Sequence, residues 1–196
     1  MTANNKLSFG EKIVYSVDPK LPPQILSELT KQVRNLPYQR SRTGAKGCEI
    51  ETDLRTSTQN WLCWDTWVAG IMHNIFISAN NDYFHFDLDH FDSGIQATKY
   101  DVGQEYGWHV DAADSRDPGE DLEALPRKLS MTLLLDTEFE GGELEIYHAP
   151  ENQIRTYAIT PGTVCIFPSW VSHRVKPVTS GTRYSLVAWM NGPEFK

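Results

Sequence analysis

From Tyr83 to Trp189 the chain reads as a succession of short runs with a period of two, each closed by residues that turn the backbone. Phe84, Phe86, Leu88 and His90 alternate against their neighbours, and strand-like runs follow at 95–101, 106–112, 128–136, 143–148, 154–160, 163–167, 172–178 and 183–189. Successive side chains of a strand point to opposite faces, so each run has one face to bury against a second layer. Turns are expected at Gly141-Gly142, Pro161-Gly162 and Ser180-Gly181, where glycine and proline supply the backbone angles. So many short strands predict a β-barrel or sandwich. Upstream the period changes. Pro22-Pro23 opens a helix with Ile25, Leu29, Val33 and Leu36 on one face, and Pro37 ends it. A second helix is expected over 60–79, where Trp61, Trp64, Trp67, Val68, Ile71, Met72, Ile75 and Phe76 form a wide apolar stripe suited to covering a sheet. A short strand at 11–17 and a polar loop over 39–49 complete the reading. The expected fold is mainly β with flanking helices (α+β). One domain spans 1–196, with a helical support region over 1–82 and a β core over 83–192.

Within that β region, His109-Val110-Asp111 places an imidazole and a carboxylate on the same face of a strand. A third donor is available in His173, which follows an apolar strand. Two histidines and one carboxylate bind a divalent metal and leave one side of it open, whereas a four-ligand set would close the site. With six histidines in the chain, a lone His-x-Asp carries little weight, and a zinc hydrolase uses the same three donors. Both readings stay open on the donors alone. His73 lies on the packing helix, and His85 and His90 with Asp87 and Asp89 precede the frame, so these are read as non-ligating. No serine has the sharp strand-to-helix context of a nucleophile elbow.

The order of features around this pair narrows the choice. Tyr100-Asp101-Val102-Gly103-Gln104-Glu105-Tyr106 leads into His109, and Gly141-Gly142-Glu143 follows. Pro161-Gly162-Thr163 then enters Val164-Cys165-Ile166-Phe167-Pro168, ahead of His173 and Gly181-Thr182-Arg183-Tyr184. Over roughly 95–192 the chain resembles the iron(II)- and 2-oxoglutarate-dependent dioxygenases, specifically the prolyl 4-hydroxylase-like group and its PKHD-type hydroxylase relatives. The resemblance implies a double-stranded β-helix, or jelly-roll, core packed against the N-terminal helices. It implies Fe(2+) on His109, Asp111 and His173, with 2-oxoglutarate and O2 as cosubstrates and ascorbate as an auxiliary reductant. It assigns the distal carboxylate of 2-oxoglutarate to Arg183, whose planar guanidinium offers two parallel hydrogen bonds. If 173–178 and 183–189 form a hairpin about 179–181, at roughly 3.3 Å per residue, Arg183 reaches back toward the metal. Tyr100 is placed on the same carboxylate and Ser130 as a further donor to the cosubstrate, while Tyr106 and Trp189 are expected to wall the substrate pocket. Some relatives carry tyrosine where this chain has Leu134, so that contact differs here. The implied activity is hydroxylation of an amino-acid residue, peptidyl-proline foremost, with release of succinate and CO2. A free amino acid or small metabolite is the alternative substrate, and a non-catalytic jelly-roll binding protein is the reading from another class.

A formal net charge of −8 argues against a broad nucleic-acid surface. Lys31, Arg34, Arg40, Arg42 and Lys46 read as a solvated face. Cys48, Cys63 and Cys165 are widely separated and fit neither a disulfide framework nor a structural zinc site, which points to a reducing compartment. The first residues lack the apolar core of a signal peptide, and no apolar run is long enough to span a bilayer. The expectation is a soluble cytoplasmic protein acting on a peptide or protein, or on a small molecule, and on neither nucleic acid nor membrane. The run 112–127, with Asp114, Asp117, Glu120, Asp121 and Glu123, is longer than a connection requires. It reads either as an acidic surface loop or as a lid favouring a basic or neutral peptide.

Overall fold

The computed structural model describes residues 13–41, 54–63, 65–92, 94–112, 125–136, 138–149, 152–157 and 160–194. In chain order the elements are β1 (Tyr15–Val17), α1 (Pro23–Arg34), β2 (Gln39–Arg40), β3 (Thr58–Cys63) and α2 (Trp67–Ala79). A single π turn (Asn80–Phe84) is followed by β4 (Gly94–Tyr100), β5 (Tyr106–His109), β6 (Arg127–Leu134), β7 (Phe139–Gly141) and β8 (Leu144–His148). The chain then continues through β9 (Gln153–Tyr157), β10 (Val164–Pro168), β11 (His173–Val175), β12 (Val178–Gly181) and β13 (Arg183–Asn191).

The strands form a seven-stranded sheet in the order β1-β10-β6-β13-β4-β3-β2, a four-stranded sheet in the order β5-β11-β8-β9, and a small β12-β7 pair. Neighbours are antiparallel throughout. The period-two alternation decides what each face of the large sheet meets. Ile95, Ala97, Leu129, Met131, Leu133, Val164, Ile166, Leu186, Ala188 and Met190 face α1 and α2, where Leu29, Val33, Val68, Met72 and Phe76 complete one apolar core. The residues between them face the small sheet, where Cys165 and Phe167 meet Leu144 and Ile146 in a second cluster. One layer of helices over two facing antiparallel sheets is the expected jelly-roll, with its inner faces left to polar and aromatic side chains.

Four local expectations are corrected. The helix expected over 60–79 begins only at Trp67, because β3 occupies 58–63 and pairs along β4 from Thr58↔Lys99 to Cys63↔Gly94. Leu62 packs into the helical core and Trp61 lies near Trp189, so this part of the apolar stripe is read at strand period. Thr66, a residue type favoured before a first helical turn, marks the true start. The strand expected from Tyr83 is absent. The side-chain amide of Asn80 donates to the Phe86 carbonyl and accepts from its N–H, at 2.9 Å each, taking both groups a ladder would need. What remains of pairing in this stretch is the single bridge Phe91↔Met190. The helical region before residue 83 also contributes β1, β2 and β3 to the large sheet, so it is not support alone. Finally, β11 and β13 are not a hairpin. β11 pairs with β5 and β8, β13 with β4 and β6, and β12 turns away to pair with β7. Pro177 has no N–H to extend β11, and Gly181 sits at φ +70 where a Cβ would collide with the Glu138 carbonyl. His173 and Arg183 therefore come from opposing sheets.

The expected loop over 39–49 opens with the two residues of β2, and most of it lies outside the described residues, as does most of the acidic run 112–127. Arg34 of the basic group is paired with Asp136 and Glu138. Cys63 and Cys165 are both free thiols, and no helix among the described residues is long and apolar enough to cross a membrane.

Candidate metal centre

β5 and β11 are neighbours in the small sheet, and His109 and His173 stand directly opposite each other in the register. Their rings are 4.1 Å apart between centroids. Asp111 lies two residues past His109, just beyond the end of β5. Its N–H and that of Ala112 both donate to the Ser169 carbonyl, each at 2.8 Å, so the turn after β10 clamps the backbone and aims the carboxylate back between the imidazoles. The Asp111 oxygens lie 3.7 Å from His109 Nε2 and 3.6 Å from His173 Nε2. All three donor atoms fall within 4.8 Å of one another, and no other His, Cys, Asp and Glu group converges this way among the described residues.

The two histidines are held alike. Nδ1 of His109 meets the Gly107 carbonyl at 2.8 Å, and Nδ1 of His173 meets the Val171 carbonyl at 2.9 Å. A carbonyl can only accept, so Nδ1 carries the proton and Nε2 turns a lone pair toward the centre. Three donors on one side, with both tautomers fixed, fit a divalent ion with open positions.

The electrostatics favour the same state. Burial, with the neighbouring His173 adding to it, pushes the His109 pKa down to about 4 against the pull of Asp111, so the imidazole is neutral and ligand-competent above that pH. Burial would raise the Asp111 carboxyl. The facing His173 and His109, with smaller contributions from Trp189 and Ser130, nonetheless hold it below the ordinary value. The sign of the linkage follows for the metal-free protein. Unfolded His109 takes up a proton near pH 6.5 and the native residue only near 4, so the native state loses stability as pH falls through that window. A plot of unfolding midpoint against pH is expected to fall more steeply between those limits for the wild type than for His109→Gln.

Arg183 stands opposite Tyr100 in the β13–β4 register, faces the barrel interior and is 2% exposed. Its Nη1 donates to Ser185 Oγ at 2.8 Å, and Ser185 Oγ lies 2.6 Å from Thr98 Oγ1. The guanidinium carbon is 5.4 Å from the Tyr100 ring centroid. Burial pushes the arginine pKa down from its ordinary value, and no carboxylate among the described residues lies within ion-pairing distance of it. An isolated buried charge is costly, so an anionic ligand is the natural partner. Gly142 makes room for the stem: at φ +63, a Cβ there would stand 2.9 Å from Arg183 Cδ.

The other sequence candidates separate into two places. Tyr100 is buried beside Arg183, and its hydroxyl makes no hydrogen bond within the described residues. Ser130 stands at the metal end instead, opposite Trp189 in the register and bonded to Ser169 Oγ at 2.9 Å. The rung of Ser185 faces Leu134, four residues away from Ser130 along β6, so Ser130 sits by Asp111 and away from Arg183. Trp189 is buried, with the Arg127 guanidinium 3.9 Å over its ring and Trp61 at 6.0 Å. Tyr106 lies flat on His109. Sequence reasoning missed Ser169, Ser185 and Thr98. Ser185 was accessible, since it follows Arg183 by two residues on the same strand face; Ser169 acts through its backbone carbonyl and left no side-chain signal.

Comparison with known proteins agrees with this geometry. Residues 95–191 match the family model of the 2OG-Fe(II) oxygenase superfamily. A PKHD-type hydroxylase from Synechococcus sp. (strain CC9605) is 38% identical over 98 residues, covering 49% of this chain and 40% of that protein. One from Psychrobacter sp. (strain PRwf-1) is 38% identical over 93 residues, covering 46% of this chain and 35% of that protein. The matches thus span well under half the length of these relatives. A prolyl-4-hydroxylase from Pseudomonas putida superposes with a TM-score of 0.70 at 17% identity, over 95% of this chain and 100% of that one. A prolyl hydroxylase from Trichoplax adhaerens, solved with a hypoxia inducible factor oxygen degradation domain peptide fragment, gives 0.74 at 16% identity, over 92% and 84%. At such identities the structural matches establish the double-stranded β-helix fold. Over residues 95–191, which carry the three donors and the buried arginine, this chain belongs to the 2OG-Fe(II) oxygenase superfamily.

Proposed function

We propose that this protein is an Fe(II)- and 2-oxoglutarate-dependent hydroxylase of an amino-acid residue, with proline in a peptide or protein as its substrate. The observation that carries the reading is the pairing, within one barrel, of an open two-histidine, one-carboxylate cluster with a buried guanidinium that forms no ion pair among the described residues. A hydrolytic zinc site has no need of the second feature, nor has a binding barrel of the first.

His109, Asp111 and His173 hold the metal, and Arg183 takes the distal carboxylate of 2-oxoglutarate, with the Tyr100 hydroxyl beside it. When bound, iron(II) and 2-oxoglutarate would supply, with O2 as oxidant, a decarboxylation that puts one oxygen atom into succinate and releases CO2, coupled to insertion of the other oxygen atom into a C–H bond. The chain's own residues supply orientation and dryness. Ser185 and Thr98 fix the guanidinium fork, and the Ser169 carbonyl fixes the segment bearing Asp111. Phe167 against His173 and Tyr106 against His109 leave little room for water around the imidazoles. The substrate approaches past Trp189 and Trp61, the latter 47% exposed at the rim, and an aromatic wall of this kind suits a prolyl ring. Support for a peptide comes from the fold neighbours, where the Trichoplax enzyme was solved with a peptide fragment.

Two measurements test the reading. Under anaerobic conditions, iron(II) and 2-oxoglutarate together are expected to give a weak visible charge-transfer band, and binding of both without that band would count against bidentate chelation. In air, a panel of proline-containing peptides with free amino acids as the second arm is expected to show a peptide gaining one oxygen by mass spectrometry. Oxygen gained by a free amino acid alone would move the substrate class to small metabolites.

A further inference from the structure

We propose that Tyr106 and Arg55 are positioning residues for His109, stacked behind it as phenol and guanidinium so that the plane of the imidazole stays fixed. The inference rests on His109 being a metal ligand. The Tyr106 and His109 rings are 3.5 Å apart between centroids and within 10° of parallel. The Arg55 guanidinium carbon lies 4.6 Å from the Tyr106 centroid. The imidazole closes one face of the phenol at van der Waals distance, so the guanidinium takes the other.

Arg55 is out of place unless the stack accounts for it. It is 5% exposed, yet its hydrogen bonds go to neutral groups, Nε to Ser57 Oγ at 3.0 Å and Nη1 to Gln96 Oε1 at 3.5 Å. Nη2 makes no hydrogen bond, and no carboxylate among the described residues pairs with the group. A buried guanidinium without a counter-ion is expensive, and the electron-rich face of Tyr106 is what offsets it.

Both ends of the stack are tied to the same stretch of backbone. Arg55 bridges to Tyr106, Gly107 N–H donates to the Leu54 carbonyl at 2.7 Å, and Thr56 N–H donates to the Glu105 carbonyl at 3.0 Å. Glu105 N–H returns a bond to Thr56 Oγ1 at 2.8 Å. Residues 54–56 are thereby held alongside 105–107, and Gly107 is the residue whose carbonyl holds His109 Nδ1. That carbonyl fixes where the ring nitrogen sits but leaves the ring free to tilt about the hydrogen bond. A metal ligand tolerates only about 10–20° of misdirection, and a parallel ring at contact distance removes that freedom. His173 shares the Nδ1–carbonyl bond but not the parallel stack, since Phe167 is tilted against it at 59°. No motif announces Arg55 in the sequence, because its role exists only once β5 is folded beside it.

The test is cobalt(II) binding to the full chain, followed by its visible d–d absorption, which needs neither turnover nor substrate. Tyr106→Leu is expected to weaken cobalt(II) binding by about 10–100-fold and to alter the band, as loss of an outer-shell partner does. Tyr106→Phe, which keeps the ring, restores wild-type binding. Wild-type affinity in Tyr106→Leu would overturn the proposal, as would an equal loss in Tyr106→Phe, which would mean that the hydroxyl matters and the ring face does not. If Tyr106→Leu fails to fold by circular dichroism, the Arg55 pair decides. Arg55→Gln is expected to weaken binding and Arg55→Lys, which keeps a cation over the ring, to retain it; wild-type affinity in both would overturn the proposal. His109→Ala serves as the control. Wild-type cobalt binding in that variant would remove the metal assignment itself, whereas its loss beside unchanged stack variants would remove only the stack.

Discussion

Asp111→Ala is expected to stop the conversion of 2-oxoglutarate to succinate, with a loss beyond the roughly 10–100-fold that removing an outer-shell partner of a metal ligand costs. Asp111 is the only carboxylate of the cluster, so its removal leaves two neutral imidazoles facing a divalent ion with nothing to offset its charge. The fold should tolerate the change. Residue 111 is held through its N–H on the Ser169 carbonyl, which alanine retains, and His109 and His173 keep their own carbonyl partners. Loss of activity can therefore be separated from loss of structure by thermal unfolding with and without manganese(II). A ligand that binds only the native state raises the midpoint by mass action. The wild type should show that rise, and Asp111→Ala should unfold cooperatively without it. Succinate formed at the wild-type rate by the variant would mean that the metal lies elsewhere.

The donors of this site were legible because each rule that revealed them is local. His109 and Asp111 share a strand face by simple alternation, and the Gly-Thr-Arg-Tyr run brought Arg183 into view. What joins them is not local. His109 and His173 become partners through β5–β11 pairing, and Arg183 faces them from the other sheet. The sequence suggested a hairpin because the two strands are consecutive hydrophobic runs around a glycine turn, while the β12–β7 pair that diverts the chain involves only three and four residues. The misread helix start has a similar origin. Trp61, Trp64 and Trp67 recur at intervals of three, which mimics a helical stripe, although Trp61 belongs to a strand. The absent strand after Tyr83 shows the opposite limit: alternation was present, but one asparagine side chain supplied the hydrogen bonds that a neighbouring strand would have made. Arg55 lay beyond reach altogether, since burial without a counter-ion is a property of the folded pocket.

Arg183→Met is expected to raise the Michaelis constant for 2-oxoglutarate by about 100-fold or more while changing that for the prime substrate far less, because removing one partner of a buried charge pair costs about 3–5 kcal/mol and each 1.4 kcal/mol is tenfold. Methionine keeps much of the stem's volume beside Gly142, so the cavity term is small. The ligand-free protein should not suffer. In the wild type the guanidinium is desolvated with Ser185 as its hydrogen-bond partner and, among the described residues, no carboxylate within ion-pairing distance; burial pushes its pKa down against the more distant Asp136, so its charge is a cost until an anion arrives. Ligand-free Arg183→Met is therefore expected to unfold at or above the wild-type temperature, while the stabilisation that 2-oxoglutarate gives the wild type disappears. Arg183→Lys keeps the charge but loses the planar fork and should fall between the two. A structural arginine would give the reverse pattern: a lower ligand-free midpoint and similar rises in both Michaelis constants. That result would remove Arg183 from the cosubstrate and leave Tyr100 facing an empty end of the barrel.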